Sequence, residues 1–221
     1  VEIRCNYRVE ELIVEDNTIK GVQANGQRFM CNHVIMATGG KSYPATGSNG
    51  EGYELARLAG HSIVKARPAL VPLETEGDLA QKLQGLNLKN VKATVWVNGK
   101  KNADDFGEMI FTHFGLSGPI ILTLSRVVVE ELHNKNKVEV VIDLKPALDE
   151  QKLDNRLIRD LNEHGNKKLL NIFRLWLPAS MIPVFVDLLN IDTEKVCNQV
   201  SSKERKQILY LLKNLPFKIS G

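Results

Sequence analysis

From Asp149 onward the hydrophobic period of this chain turns helical, and that change limits the architectures open to it. Before Asp149 short apolar clusters alternate with polar residues and are punctuated by turn dipeptides; after it, apolar residues recur at helical spacing. Leu12-Ile13-Val14, Thr18-Ile19 with Val22, and Phe29-Met30 are separated by Glu15-Asp16-Asn17 and by Asn25-Gly26. Asn-Gly is a strong hairpin signal, because a type I′ turn needs positive φ at both central residues. This predicts a meander of about three strands. Val91 to Val97 alternates again and turns at Asn98-Gly99, Met109-Ile110-Phe111 reads as a strand, and so does Val138 to Leu144. Beyond Asp149, Leu153, Leu157 and Leu161 form one helical stripe. Leu169 to Leu177 reads as a second helix and Ser180 to Leu189 as a third. A fourth opens on the capping box Ser201-x-x-Glu204, carries Ile208, Leu211, Leu212 and Leu215 inward, and stops at Pro216. The result is an α/β remnant, a mostly-β module and a small helical bundle.

One block stands out within the first part. Val34-Ile35-Met36-Ala37 is an apolar run that breaks on Thr38-Gly39-Gly40, followed by Lys41-Ser42-Tyr43-Pro44-Ala45-Thr46-Gly47-Ser48-Asn49-Gly50-Glu51-Gly52-Tyr53. It reads as a buried strand that delivers a side-chain-poor backbone to a ligand, since glycine permits tight turns and close approach. In α/β folds cofactors sit at such strand ends. A plain strand-to-loop turn is the competing reading. Gly50 to Gly60 reads as a helix with an apolar side that includes Tyr53, Leu55 and Leu58, and Ile63-Val64 as a short strand. Gly47-x-x-Gly50-x-Gly52 is not a dinucleotide fingerprint, although the helix it precedes could offer N–H groups to an anion. No G-x-G-x-x-G and no G-x-x-x-x-G-K-[ST] occurs.

The second dense block is Glu108-Met109-Ile110-Phe111-Thr112-His113-Phe114-Gly115-Leu116-Ser117-Gly118-Pro119. A strand ends at Phe111, a polar, aromatic and glycine elbow follows, and a helix begins near Gly118 with proline in its first turn. Thr112, His113 and Ser117 could aim hydrogen bonds at a ligand, and His113 could move a proton near neutral pH. The alternative is a lone histidine on a turn, with Ser117 capping the helix. The remaining histidines, His33, His61, His133 and His164, stand singly and read as structural or surface residues. No catalytic triad can be assembled.

Composition excludes several classes. Hydrophobic residues make up 43% and charged residues 25% of 221, ordinary for a globular protein with ample core. No apolar run approaches the ~18–20 residues that span a bilayer, so no membrane association is expected. There is no secretory-type leader. Cys5, Cys31 and Cys197 are far apart, which argues against zinc and for free thiols in a cytoplasmic setting, with Cys31 in the core. Residues 151–221 carry 12 Lys+Arg against 7 Asp+Glu, a balance of +5, and residues 1–150 carry 17 against 19, a balance of −2. A basic helical region could bind nucleic acid or a protein partner without being catalytic, with Lys203-Glu204-Arg205-Lys206-Gln207 as its candidate recognition segment. Because no like-charge run exceeds three residues, a solvated helix surface is favoured and nucleic acid is not. Val1 begins in mid-pattern and Gly221 follows an apolar-basic run, the look of an internal piece of a longer protein.

Taken together, the Ala37–Tyr53 and Phe111–Pro119 blocks, the linking Arg67-Pro68-Ala69-Leu70-Val71-Pro72-Leu73 and the late Leu211-x-x-x-Leu215-Pro216 resemble the bacterial YhiN/BaiN-like flavoproteins, also described as aminoacetone-oxidase-like or NAD(P)/FAD-dependent oxidoreductases. The resemblance spans nearly the whole chain. It implies a mixed α+β architecture: a partial Rossmann-like FAD domain over 1–67, a β-barrel-like insert over 68–148, a helical subdomain over 149–215 and a returning strand over 216–221. By the same resemblance Ala37, Thr38, Gly39 and Gly40 line the flavin side of an FAD site. Ser42, Tyr43, Thr112, His113, Gly115 and Ser117 lie on the substrate side, with His113 the candidate catalytic group. A small-molecule substrate would give hydride to flavin N5, the electrons passing on to oxygen or another acceptor, with NAD(P)H a possible donor. The family's pyrophosphate loop and its flavin-covering segment have no counterpart in the sequence, so the 221 residues are not expected to hold FAD alone.

Overall fold

The computed structural model describes residues 1–221 and divides into two compact units, Val1–Arg67 and Pro68–Gly221. The first is a three-stranded antiparallel meander with one helix. Strands β1 (Val9–Glu15), β2 (Thr18–Ala24) and β3 (Gln27–Met30) pair in sequence order. The turns are those the dipeptides predict: Asp16 and Asn17 have φ of 48° and 59°, and Asn25 and Gly26 have φ of 50° and 72°. Helix α1 (Glu51–Leu58) buries Leu55.

Three expectations fail in this unit. Val34–Ala37 is not a strand and is not buried: the last ladder-like bond is Cys31 N–H to Lys20 C=O at 2.9 Å, and Ile35 is 92% exposed. Beyond Cys31 no neighbouring backbone offers this apolar run a ladder within the unit, so it stays irregular. Ile63-Val64 is likewise irregular, with both residues exposed, and Cys31 is exposed rather than core.

The second unit is built on one antiparallel sheet of six strands, in the order β4 (Leu73–Glu74), β7 (Gly115–Ser117), β6 (Lys100–Phe111), β5 (Asn87–Val97), β8 (Val138–Asp143) and β9 (Leu215–Lys218). Its two edges meet. Glu74 N–H donates to Gly221 C=O at 2.7 Å, Ser220 N–H to Glu74 C=O at 3.0 Å, and Glu76 N–H to Lys218 C=O at 2.9 Å. The sheet therefore curls into a barrel with no free edge at that seam. Alternation along each strand puts Val91, Ala93 and Val95, Met109 and Phe111, Val138, Val140 and Ile142, and Leu215, Phe217 and Ile219 inside.

Helix α3 (Pro119–His133) packs on β6, burying Ile120, Ile121, Leu124 and Val128, and comes so close at Gly107 that a Cβ there would lie 2.8 Å from Ile120 Cγ2. A short helix, α2 (Leu79–Lys82), precedes β5. Between β8 and β9 the chain makes α4 (Glu150–Glu163), α5 (Leu169–Ile172), α6 (Ile182–Leu189) and α7 (Ser202–Lys213). The predicted second and third helices are broken by 3-10 turns at Phe173–Leu175 and Ala179–Met181. The predicted fourth ends at Lys213, two residues before the strand that contains Leu215 and Pro216. These helices and the sheet share one core, in which Phe173 packs edge-on against Trp176 and Phe185.

Candidate functional site

The residues singled out by sequence fall into two groups, one in each unit. In the first unit, Ala37–Gly40 runs along the N-terminal side of α1. Thr38 Oγ1 fills the place of the missing side chain of Gly52, where a Cβ would lie 2.0 Å from it. Gly39 has φ of +74°, and a Cβ on it would sit 2.8 Å from Ser48 Oγ. Gly40 has only the Tyr53 hydroxyl near it, at 3.7 Å from an added Cβ. Local packing thus accounts for the glycines at 39 and 52. Ala37, Thr38 and Gly39 nonetheless stay exposed, and no side chain bulkier than threonine interrupts the edge. Such a backbone leaves room for a flat group to approach it.

Ser42 and Tyr43 are exposed as well. Tyr43 contributes its carbonyl, which accepts from Thr46 N–H at 3.0 Å, Thr46 Oγ1 at 3.0 Å and Ser48 N–H at 3.2 Å, while its ring projects into solvent. The start of α1 suits a carboxylate already in place. Glu51 N–H donates to Asn49 Oδ1 at 3.1 Å, and the Glu51 carboxylate takes Asn49 Nδ2 at 2.8 Å and Arg8 at 2.6 Å. Acidic residues in a first turn satisfy the helix dipole.

In the second unit the elbow between β6 and β7 is held by one side chain. Thr112 Oγ1 accepts from Gly115 N–H at 3.0 Å and donates to Gly115 C=O at 3.1 Å, and Thr112 N–H donates to the same carbonyl at 2.8 Å. Gly115 is buried where β4 passes: a Cβ would lie 2.0 Å from the Leu73 carbonyl oxygen. Gly118, at φ +95°, caps α3 with no side-chain hydrogen bond, so Ser117 is not the helix cap expected of it and sits half-buried in β7. Thr112 and Gly115 are therefore spent on the turn itself. His113 and Phe114 are thrown outward, both exposed, with rings edge-on at 4.8 Å. Of the elbow residues, His113 is the one with a titratable group free to meet a ligand.

The helical part places the Lys203–Gln207 stretch at a groove that the sequence did not show. A groove of about 700 Å³ is lined by Leu188 and Leu189 of α6 and by Ser202, Lys203, Lys206, Gln207, Tyr210 and Leu211 of α7. Beside it the capping box forms as predicted, Glu204 N–H donating to Ser201 Oγ and Ser201 N–H to Glu204 Oε2. The Lys195 ammonium, 2.6 Å from Glu204, and the Ser201 N–H hold the Glu204 carboxyl down at about 2. A second cavity is lined by Leu148, Lys152, Asn155, Arg156 and Arg159. Buried Asp160 takes the Trp176 indole N–H at 2.9 Å and faces Arg156 and Arg159. No three His, Cys, Asp or Glu side chains come together to hold a metal, and no helix is long and apolar enough to cross a membrane.

Comparison with known proteins identifies a family. Residues 67–221 match the family model described as the HI0933-like protein barrel and H2TH domain. The chain is 30% identical over 193 residues to the 3-dehydro-bile acid delta(4,6)-reductase of Clostridium scindens, covering 86% of this chain and 46% of that protein. It is also 30% identical to the ribosomal RNA dihydrouridine synthases of Escherichia coli, over 77% of this chain and 40% of the relative, and of Haemophilus influenzae, over 90% and 49%. The chain thus spans about half the length, or less, of the curated relatives it matches.

Proposed function

The chain belongs to the HI0933-like family of YhiN/BaiN-type flavoproteins, and on that premise we propose that it forms part of an FAD-dependent reductase acting on a carbon–carbon double bond conjugated to a carbonyl. The relatives' names support this reading. A 3-dehydro delta(4,6) steroid and a uracil ring share that bond type, and both names describe its reduction or the reduced product. The direction is the reverse of the one expected from the sequence, where substrate was to reduce the flavin.

Saturating such a bond takes a hydride at the carbon remote from the carbonyl and a proton at the adjacent carbon. FAD, when bound, supplies the passage of two electrons from a reduced nicotinamide to the substrate. The chain's own contribution is position and proton. Ala37–Gly40 offers the flavin an exposed backbone edge, and Ser42 and Tyr43 flank it. Taken by itself, the second unit offers His113, an exposed imidazole edge-on to Phe114, as the candidate proton donor. The observation that carries the assignment is the elbow: Thr112 and Gly115 fix a tight turn that presents the rings of His113 and Phe114 edge-on to each other at the surface.

The test uses the full-length polypeptide that contains this sequence. It is expected to purify with bound flavin, to be reduced by NADH or NADPH without oxygen, and to be reoxidised by an enone or by a uridine-containing RNA. His113→Gln should lower turnover by about 10²-fold with flavin content unchanged. Colourless full-length protein, or an unaffected His113→Gln variant, would overturn the reading. The 221 residues alone should be colourless.

A further inference from the structure

The α6–α7 groove carries two exposed lysines that no carboxylate answers. Around α7 the other cations are neutralised: Lys195 by Glu204 at 2.6 Å, Arg205 by Asp154 at 2.7 Å, Lys213 by Asp143 at 2.5 Å. In the second cavity Lys152 is paired with Asp149, and Arg156 and Arg159 share Asp160. Lys203 and Lys206, in contrast, have no carboxylate partner, and both are exposed. The one acidic residue of α6, Asp187, does not line the groove. Tyr210 completes the same helix face, four residues beyond Lys206 and seven beyond Lys203, with its ring 65% exposed. Leu189 and Leu211 lie beneath, and Leu188 is 44% exposed at the rim.

We propose that this groove docks single-stranded RNA, with Lys203 and Lys206 contacting phosphates and Tyr210 stacking on a base. The chemistry is that of sequence-tolerant strand binding, in which unneutralised cations track the backbone and an exposed aromatic face receives a base. A protein segment laid over the same apolar floor would leave two ammonium groups to be answered by its own carboxylates; a polynucleotide brings both the anions and the flat apolar units. The groove takes up the basic-module reading of the sequence and moves it from the charge total to two lysines and a tyrosine. It names RNA as the substrate class of the reductase and rests on that reading.

Binding of a fluorescein-labelled uridine-rich RNA of about 12 nucleotides to the 221-residue chain, followed by anisotropy across a salt series, tests the proposal without any flavin. Lys203→Gln/Lys206→Gln should weaken binding about tenfold and flatten the log–log salt slope by about 1.4. Tyr210→Ala should weaken it about tenfold and leave the slope unchanged. The control pair Lys100→Gln/Lys135→Gln, exposed lysines on the barrel unit away from α7, should change affinity less than about twofold. Thermal melts confirm that each variant is folded. No RNA binding by the parent chain, the result expected if a protein segment covers the groove, overturns the proposal. So does an equal loss in the control pair, or an unchanged Tyr210→Ala, either of which marks unspecific charge attraction. RNA binding with no reductase activity sinks only the reductase reading; reductase activity without RNA binding sinks only this one.

Discussion

The two units carry similar proportions of apolar sequence and put them to different use. In Pro68–Gly221 a sheet whose edges hydrogen-bond to each other encloses a core that runs on through the helices, from Leu73 and Phe111 to Phe173, Trp176 and Ile208. In Val1–Arg67 the buried apolar side chains are Ile13, Ala24 and Leu55, while Ile3, Ile35, Tyr43, Leu58 and Val64 stand exposed. The contrast shows that alternation and apolar runs declare what a segment is suited to pack against. Whether it is packed depends on a partner surface, and the barrel supplies its own.

Glycine substitutions sharpen this comparison and should produce the largest effect. Gly115 and Gly52 each have an atom 2.0 Å from where a Cβ would go. At Gly115 that atom is the Leu73 carbonyl oxygen, part of the barrel ladder. At Gly52 it is Thr38 Oγ1, the end of a side chain that can rotate away. Gly115→Ala should therefore cost about 3 kcal/mol by urea unfolding, because strand pairing has to yield. Gly52→Ala should cost under about 1 kcal/mol. Equal losses would show that the first unit is as tightly determined as the barrel.

The same contrast explains what could be read from the residues in advance. Hairpins at Asn25-Gly26 and Asn98-Gly99, the Pro119 helix start and the Ser201–Glu204 capping box are local signals, and each appears where the dipeptide or spacing puts it. Val34–Met36 misled because its composition suits a strand covered on both faces, and here nothing pairs with it. The 3-10 breaks at Phe173–Leu175 and Ala179–Met181 leave no mark in a 3.6-residue period. Closure of the sheet, through Glu74 with Gly221 and Ser220, joins residues almost 150 positions apart, and no local pattern announces it. At the candidate site the sequence pointed to the elbow. It did not separate Thr112 and Gly115, which build the turn, from His113 and Phe114, which the turn presents. The groove lysines were visible as part of the basic Lys203–Gln207 stretch, but only the pairing of Lys195, Arg205 and Lys213 separates Lys203 and Lys206 from their neighbours.

An acid titration probes the helical unit selectively. Glu204 has its carboxyl lowered from 4.5 to about 2, first by the hydrogen bond from Lys195 and then by the Ser201 N–H. A depressed folded-state value means the stabilisation is fully present above the unfolded value and is lost as pH falls through the folded one. Stability of the second unit should thus drop between pH 4.5 and about 2, by on the order of 1–2 kcal/mol once partial solvent screening is allowed for. Glu204→Gln should be less stable at pH 7 and should lose that part of the acid dependence. A variant with the wild-type acid profile would assign the transition to other carboxylates.

Two arginines give the smallest and most direct comparison. Arg205 meets Asp154 through two hydrogen bonds, at 2.7 and 3.2 Å, with side chains 18% and 22% exposed, tying α7 to α4. Arg8 meets Glu51 through one, at 2.6 Å, with side chains 74% and 45% exposed. A paired, forked guanidinium shielded from water loses little on being held, and removing it leaves Asp154 half-buried and unanswered. A single exposed contact competes with water and salt throughout. Arg205→Ala should cost about 2 kcal/mol and Arg8→Ala no more than about 0.5 kcal/mol, measured in the same urea series, and added salt at 0.5 M should erase the second difference while leaving most of the first. If Arg8→Ala proved the costlier change, the sparse first unit would depend on its surface ion pair, as a unit with so small a core would have to.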